Sequence, residues 1–200
     1  LWLFLRKGVT INTLADLDNY RVAIGGDDSG SRLIVLPLLQ ANGLDIDNLG
    51  DNWRDYSGTQ AAQELLDNEL DAVFFVVPPE NEFIQTFASH PDVELFHFER
   101  AATYERHFPF IKGLTINQGL LSIAKNMPQT DSTTLSSKAL LVVNESFHPA
   151  LTPLILAAAK EAMKQGTLLD QPDSWPVEDQ NAFPMLDEAI YFYDKGLPLL

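Results

Sequence analysis

The chain has 200 residues, with 28 Asp and Glu against 13 Lys and Arg, for a formal net charge of −15. That charge is spread along the sequence and repels phosphate backbones and anionic lipid surfaces, which argues against nucleic acid as a partner. Hydrophobic residues at 46% and charged residues at 20% place the chain among folded proteins, and the absence of cysteine removes disulfides, thiolate zinc sites and cysteine nucleophiles.

A chain of this length makes either one large domain or two smaller lobes. Leu1 to Arg6 (LWLFLR) is too short to span a membrane and lacks the layout of a signal peptide. It reads as an internal β-strand cut at its start. The run Gly196 to Leu200 turns apolar again, so both ends are expected to be cuts through a longer chain.

A short helical turn or loop is predicted over Ile11 to Asp18, and a buried strand over Tyr20 to Gly25 (YRVAIG). The turn cluster Gly25 to Ser31 then leads into a helix over Arg32 to Asn42, where Leu33, Leu36 and Leu39 recur at helical spacing and Gly43 supplies the stop. Pro37 implies a kink or a late start in that helix. A short strand near Trp53 to Tyr56 precedes a second helix over Gly58 to Glu69. The nearly continuous apolar run Leu70 to Val77 (LDAVFFVV) then suits a parallel strand covered on both faces. Further helix is predicted over Asn81 to Ser89, strand over Val93 to Phe98, and helix over Arg100 to His107. Strands alternating with helices imply an α/β sheet.

Past this point the sequence predicts an extended stretch at Leu114 to Leu121, a loop through Met127-Pro128 and a strong strand at Lys138 to Val143 (KALLVV). A long helix follows over His148 to Lys164, with Leu151, Leu154, Ile155, Ala158 and Ala162 on one stripe and Gly166 as terminator. A loop bearing Pro172 and Pro176 leads to a last helix that carries Leu186, Ala189, Ile190 and Tyr193.

None of the four histidines (His90, His97, His107, His148) has the paired spacing that brings two imidazoles to one metal, so no metal or other cofactor is expected. Asp28-Ser29-Gly30-Ser31 does not match the strained GxSxG elbow of a serine nucleophile, and no enzyme is expected. The glycine-rich turn is the one local feature with binding chemistry, because small residues between a strand and a helix let a ligand reach the free N–H groups at the helix start. It lacks the lysine of a Walker A loop and the three-glycine spacing of a dinucleotide fingerprint. The alternative is an ordinary turn with Ser29 or Ser31 as N-cap.

Several stretches, taken in order, resemble the TAXI family of TRAP-associated extracytoplasmic solute receptors. They are the opening LWLFLRKG, the stretch LADLDNYRVAIGGDDSGSR, then LLDNELDAVFFVVPPENEFI, and finally FHPALTPLILAAAKE with FPMLDEAIYFYDKGLPLL. The closing segment is similar to that of a membrane-anchored branch. The sequence departs from the family pattern at Asp27-Asp28 and at Asn117-Gln118-Gly119.

The resemblance implies an α/β, type II periplasmic-binding-protein-like fold, with one complete lobe plus the C-terminal part of the other. It divides the chain into a crossing strand (1–6), a second lobe (7–113) and a returning part of the first lobe (114–200), the segments meeting near Gly113 to Gln118 with the opening strand alongside. It further implies periplasmic or extracytoplasmic localisation, membrane transport subunits as partners, and a small anionic solute, an amino acid or organic acid, held without covalent chemistry. The rival is a sensory or regulatory ligand-binding domain of the same fold.

The expected binding residues are Ser29, Gly30, Ser31 and Arg32, with Val77 and Pro78 as the neighbouring wall, since ligands of open α/β sheets sit beyond the carboxyl ends of the strands. Arg32 either faces the cleft or pairs with Asp27 or Asp28. An incomplete first lobe would also leave an apolar surface able to associate with a second copy.

Overall fold

The computed structural model describes residues 1–178 and 183–197, and the chain divides into two compact units, Leu1–Lys138 and Ala139–Leu200. The first unit is built on a five-stranded sheet of order β3-β2-β4-β1-β5. Its strands are β1 (Trp2–Arg6), β2 (Val22–Ala23), β3 (Trp53–Arg54), β4 (Ala72–Phe75) and β5 (Val93–Leu95). β2 runs parallel to β3 and β4, whereas β1 is antiparallel to both β4 and β5.

The helices of this unit are α1 (Gly30–Ala41), α2 (Gly58–Leu66), α3 (Glu82–Ala88) and α4 (Ala101–His107), with a 3-10 turn at Leu14–Asn19. Strand order explains their placement. The β2-α1-β3 connection moves one way along the sheet, while β3-α2-β4 and β4-α3-β5 move the other way. A right-handed crossover therefore puts α1 on one face and α2 and α3 on the opposite face.

Packing agrees with that assignment. Leu1, Leu3 and Leu5 share a core with Val35, Leu38 and Leu39 of α1, Phe74 of β4, and Ala101 and Tyr104 of α4. On the other pleat, Phe4 meets Phe87 of α3 at 5.1 Å and Phe75 meets Phe83 at 5.7 Å, ring centre to ring centre. Both β1 and β4 are thus covered on both sides, which is why their sequences are continuous apolar runs rather than alternating ones. α1 starts at Gly30 and continues through Pro37, so the proline marks no late start.

Strand β6 (Ile111–Ile116) forms an antiparallel ribbon with β7 (Ser132–Ser137). Ile111 and Leu135 enter the main core, the N–H of Phe98 donates to the Thr133 carbonyl at 2.8 Å, and the Thr134 hydroxyl donates to the Leu1 carbonyl. The opening strand therefore begins alongside β7. The first compact unit runs on through the β6–β7 ribbon to Lys138, because the β6–β7 ladder and the packing of β6 on α4 hold residues 114–137 within it.

The strand expected over Lys138 to Val143 is not formed. Its place as partner of β6 is taken by the preceding, less apolar STTLSS segment, and Leu140, Leu141 and Val142 stay exposed. β-propensity alone makes no strand without a neighbour to pair with.

The second unit contains a 3-10 turn (Pro149–Leu151), α5 (Thr152–Ala162) and α6 (Asp187–Lys195). Leu156 and Phe192 are buried, whereas Leu151, Leu154 and Ile155 on the predicted stripe are exposed. Three residues of the closing GLPLL run, 198–200, lie outside the described residues. Among the described residues no helix is long and apolar enough to cross a membrane.

Candidate functional site

At the carboxyl ends of β2 and β4 the chain departs to opposite faces of the sheet, α1 to one and α3 to the other. A reversal of this kind between adjacent parallel strands is where α/β sheets place ligands, which makes these strand ends the candidate crevice. The two stretches singled out from sequence, Ser29 to Arg32 after β2 and Val77-Pro78 after β4, flank it.

Gly25 makes the turn. Its φ is +96°, and a Cβ there would lie 2.3 Å from Ser29 Oγ, so no other residue fits without displacing the helix start. Ser29 is the N-cap of α1, its Oγ accepting from the Arg32 N–H at 3.2 Å. That bond uses an acceptor lone pair and leaves the hydroxyl hydrogen to donate elsewhere. Ser31 reaches across the crevice, with its Oγ accepting from the Val76 N–H at 3.0 Å, and so locks the first turn of α1 to the end of β4. The carbonyl of Val77 accepts from Trp2 Nε1 at 2.9 Å, which ties this wall to β1, while Pro78 is exposed. Gly30 has open space where a Cβ would stand. Among the described residues, the N–H groups of Gly30 and Ser31 have no acceptor.

Arg32 pairs with Asp55 through Nη1 and with Asp27 through Nε at 3.5 Å. Its guanidinium is thus held by carboxylates at the crevice edge. Asp55 and Ser57, in the turn after β3, belong to the same rim, since a Cβ on Gly26 would lie 3.6 Å from both the Asp55 carbonyl and Ser57 Oγ. Sequence reasoning missed these two. The signal was present in Ser57-Gly58, a second small-residue N-cap pattern directly after a short strand. With Asp27 and Asp55 on one guanidinium, an anion here would be held by backbone N–H groups and hydroxyls rather than by net positive charge.

The cap predicts a stability effect separate from binding. Ser29→Ala should lower the unfolding free energy by about 1 kcal/mol, the usual value of an N-cap. Urea denaturation of parent and variant checks this, and an unchanged midpoint would show that the cap contributes nothing.

No group of three or more metal-ligating side chains occurs among the described residues. A separate groove of about 310 Å³ lies in the second unit, lined by Ala157, Lys160, Glu161, Lys164, Asp173, Phe192, Gly196 and Leu197, and none of the residues expected from sequence belongs to it.

None of the curated proteins matches the chain. The pattern of the NMT1-like family, a family of binding proteins with the periplasmic-binding-protein-like fold, matches residues 1–163. A mixed α/β sheet with helices on both faces and a crevice at its strand ends is what that fold requires, and the chain belongs to the NMT1-like family.

Proposed function

We propose that this solute-binding domain is the ligand-binding part of an extracytoplasmic receptor serving a TRAP-type secondary transporter, and that its solute is a small anion, an amino acid or organic acid. The observation that carries the reading is the pair of unengaged N–H groups at Gly30 and Ser31, set at the crevice beside an open glycine. These amides sit at the positive end of the α1 dipole, so a carboxylate there gains hydrogen bonds and a favourable field together. Ser29 adds a donor, Ser31 fixes the turn against the Val76 wall, and Val77 and Pro78 bound the other side.

In this reading residues 7–113 and 114–200 contribute to two lobes that close over the solute, with residues 1–6 as a crossing strand. Binding shifts the balance of open and closed forms, and transport subunits in the membrane recognise the closed one. The receptor works outside the cytoplasm and is anchored to the inner membrane.

Native mass spectrometry of the receptor, purified from its own cells without refolding, tests the ligand class. A co-purifying small anion that is lost on unfolding is the expected result. A bound neutral or cationic molecule would overturn the anion assignment.

A further inference from the structure

The seam between the main sheet and the β6–β7 ribbon lies just past β5. Phe96 still pairs with β1, its N–H donating to the Leu3 carbonyl at 2.9 Å. Two residues on, the Phe98 N–H donates to the Thr133 carbonyl of β7 at 2.8 Å, and the Thr133 N–H donates back at 2.9 Å. The acceptor of that second bond is Nδ1 of the His97 ring and not a backbone carbonyl. Thr133 stands opposite Thr115 in the ribbon. With its N–H and C=O both given to residues 97 and 98, it is a position whose backbone groups point away from β6. Thr133 is therefore the point at which β7 is bonded to the edge of the main sheet.

An imidazole can make this bond in only one of its states. Nδ1 accepts when the ring is neutral and carries its hydrogen on Nε2. Protonation puts a hydrogen on Nδ1, so the lone pair is lost and two N–H groups face each other across the seam. His90 and His148 also accept backbone N–H groups, but from Asp92 and Ala150, each two residues along, so they close only local turns. His97 bridges segments 36 residues apart. Its side chain is exposed, so protons reach it directly from solvent.

The charged side chains on the segments that meet here are Glu94, Glu99 and Arg100 beside His97, Asp131 ahead of β7, and Lys112 on β6. Lys112 pairs with Glu105, Arg100 donates to Asn42, and Asp131 accepts from the Gln118 N–H. Among the described residues, none forms an ion pair with the His97 ring. No carboxylate is thus in place to hold an imidazolium at the seam once the bond to Thr133 is lost.

We propose that His97 is a pH-sensitive latch, which when neutral fastens β7 to the main sheet through the Thr133 amide and when protonated releases that amide. Because the closed seam holds the neutral ring, the fastening is complete at higher pH. It is lost as pH falls through the range in which imidazoles take up a proton. The rest of the attachment does not titrate there. The bond from the Phe98 N–H, the Thr134 hydroxyl on the Leu1 carbonyl, and Ile111 and Leu135 in the core keep the ribbon in place. Release is therefore local to the Thr133 edge of β7, the last strand of the first unit.

Amide hydrogen exchange of the 200-residue chain, read by NMR as protection factors from about pH 8 to about pH 5, tests the latch. Protection of the Thr133 amide should fall roughly fivefold across that span, the worth of one net hydrogen bond. Thr134, whose amide faces β6 by strand alternation, should keep its protection. His97→Gln supplies a carbonyl acceptor that does not titrate, and it should make Thr133 protection flat with pH. The ring nitrogens of the parent give a reading that needs no variant, since at about pH 8 their shifts should show a neutral ring with its hydrogen on Nε2. Three results would overturn the proposal. One is Thr133 protection that does not change with pH in the parent. Another is a pH dependence that persists in His97→Gln, which would assign it to a different group. The third is a neutral ring with its hydrogen on Nδ1.

Discussion

Replacing Asp71 with asparagine should lower the unfolding free energy near neutral pH by about 3 kcal/mol, the lower end of the range for breaking a buried ion pair by removing one partner. Asp71 is 7% exposed and joins the starts of β2 and β4 to the end of the antiparallel β1. Its Oδ1 accepts from Arg6 Nη2 at 2.6 Å and from Arg21 Nη2 at 3.0 Å, and its Oδ2 accepts from the Arg21 side chain at 2.9 Å and from the Arg21 backbone N–H at 3.0 Å. Asparagine keeps the volume but removes the charge and turns one acceptor into a donor facing two guanidinium groups. Both arginines are about one-third exposed, so water relieves part of the loss, and the lower end of the range applies.

The same carboxylate sets a pH dependence. Burial alone raises the Asp71 carboxyl, but the hydrogen bonds from the Arg21 side chain and backbone and from Arg6 outweigh it and hold it well below the usual carboxylate range. A folded-state value below the unfolded value of about 3.9 means that the stabilisation is fully present above that pH. It is lost as pH falls further through the depressed folded value. Urea denaturation near neutral pH and in acid should therefore show a gap between parent and Asp71→Asn that narrows only below about pH 4. An equal gap at both, or none near neutrality, would show that the triad does not stabilise the sheet.

Gly30→Val should weaken solute binding strongly while leaving the fold intact, and this result rests on the proposed receptor function. A Cβ at position 30 meets no atom within 4 Å, so the substitution adds no clash inside the protein. The two methyl groups instead stand over the amides of Gly30 and Ser31. Excluding a carboxylate from those charge-assisted bonds should weaken binding roughly a hundredfold, the value of one or two such bonds. Gly25→Val is the contrasting variant. Its backbone sits at φ +96° and its Cβ would strike Ser29 Oγ, so it should destabilise the protein by about 2 kcal/mol or more. Calorimetric titration with the solute identified by mass spectrometry, beside thermal melts of both variants, separates the two effects. Parent-like affinity in a folded Gly30→Val variant would move the cleft away from this turn.

Much of the first unit was legible in one dimension. LWLFL and AVFF are apolar at every position because both of their faces are covered. The small-residue run Gly25 to Ser31 marks a strand-to-helix turn because few other residues can make it. The helices α1 to α4 follow from periodicity and from stops such as Gly43, and their boundaries moved by only a few residues. Position at the strand ends, and with it the candidate crevice, followed from the order of strands and helices along the chain.

What depends on partners distant in sequence was decided only by the tertiary structure. No local pattern states that β1 runs antiparallel to its neighbours, since strand direction is a property of the pair. Arg32 had cleft and salt bridge equally open until the turn after β3 brought Asp55 to it, 23 residues on. Ser29 and Ser31 look alike in sequence, yet one caps its own helix and the other bonds Val76, 45 residues away. The clearest divergence is at 132–143, where the polar STTLSS became β7 and the apolar KALLVV stayed unpaired. The N–H and C=O groups of Ile111–Ile116 can form only one ladder on that edge, and STTLSS places Leu135 in the core and the Thr134 hydroxyl on the Leu1 carbonyl. Composition determined that a strand was due in this region, and pairing geometry determined which six residues would form it.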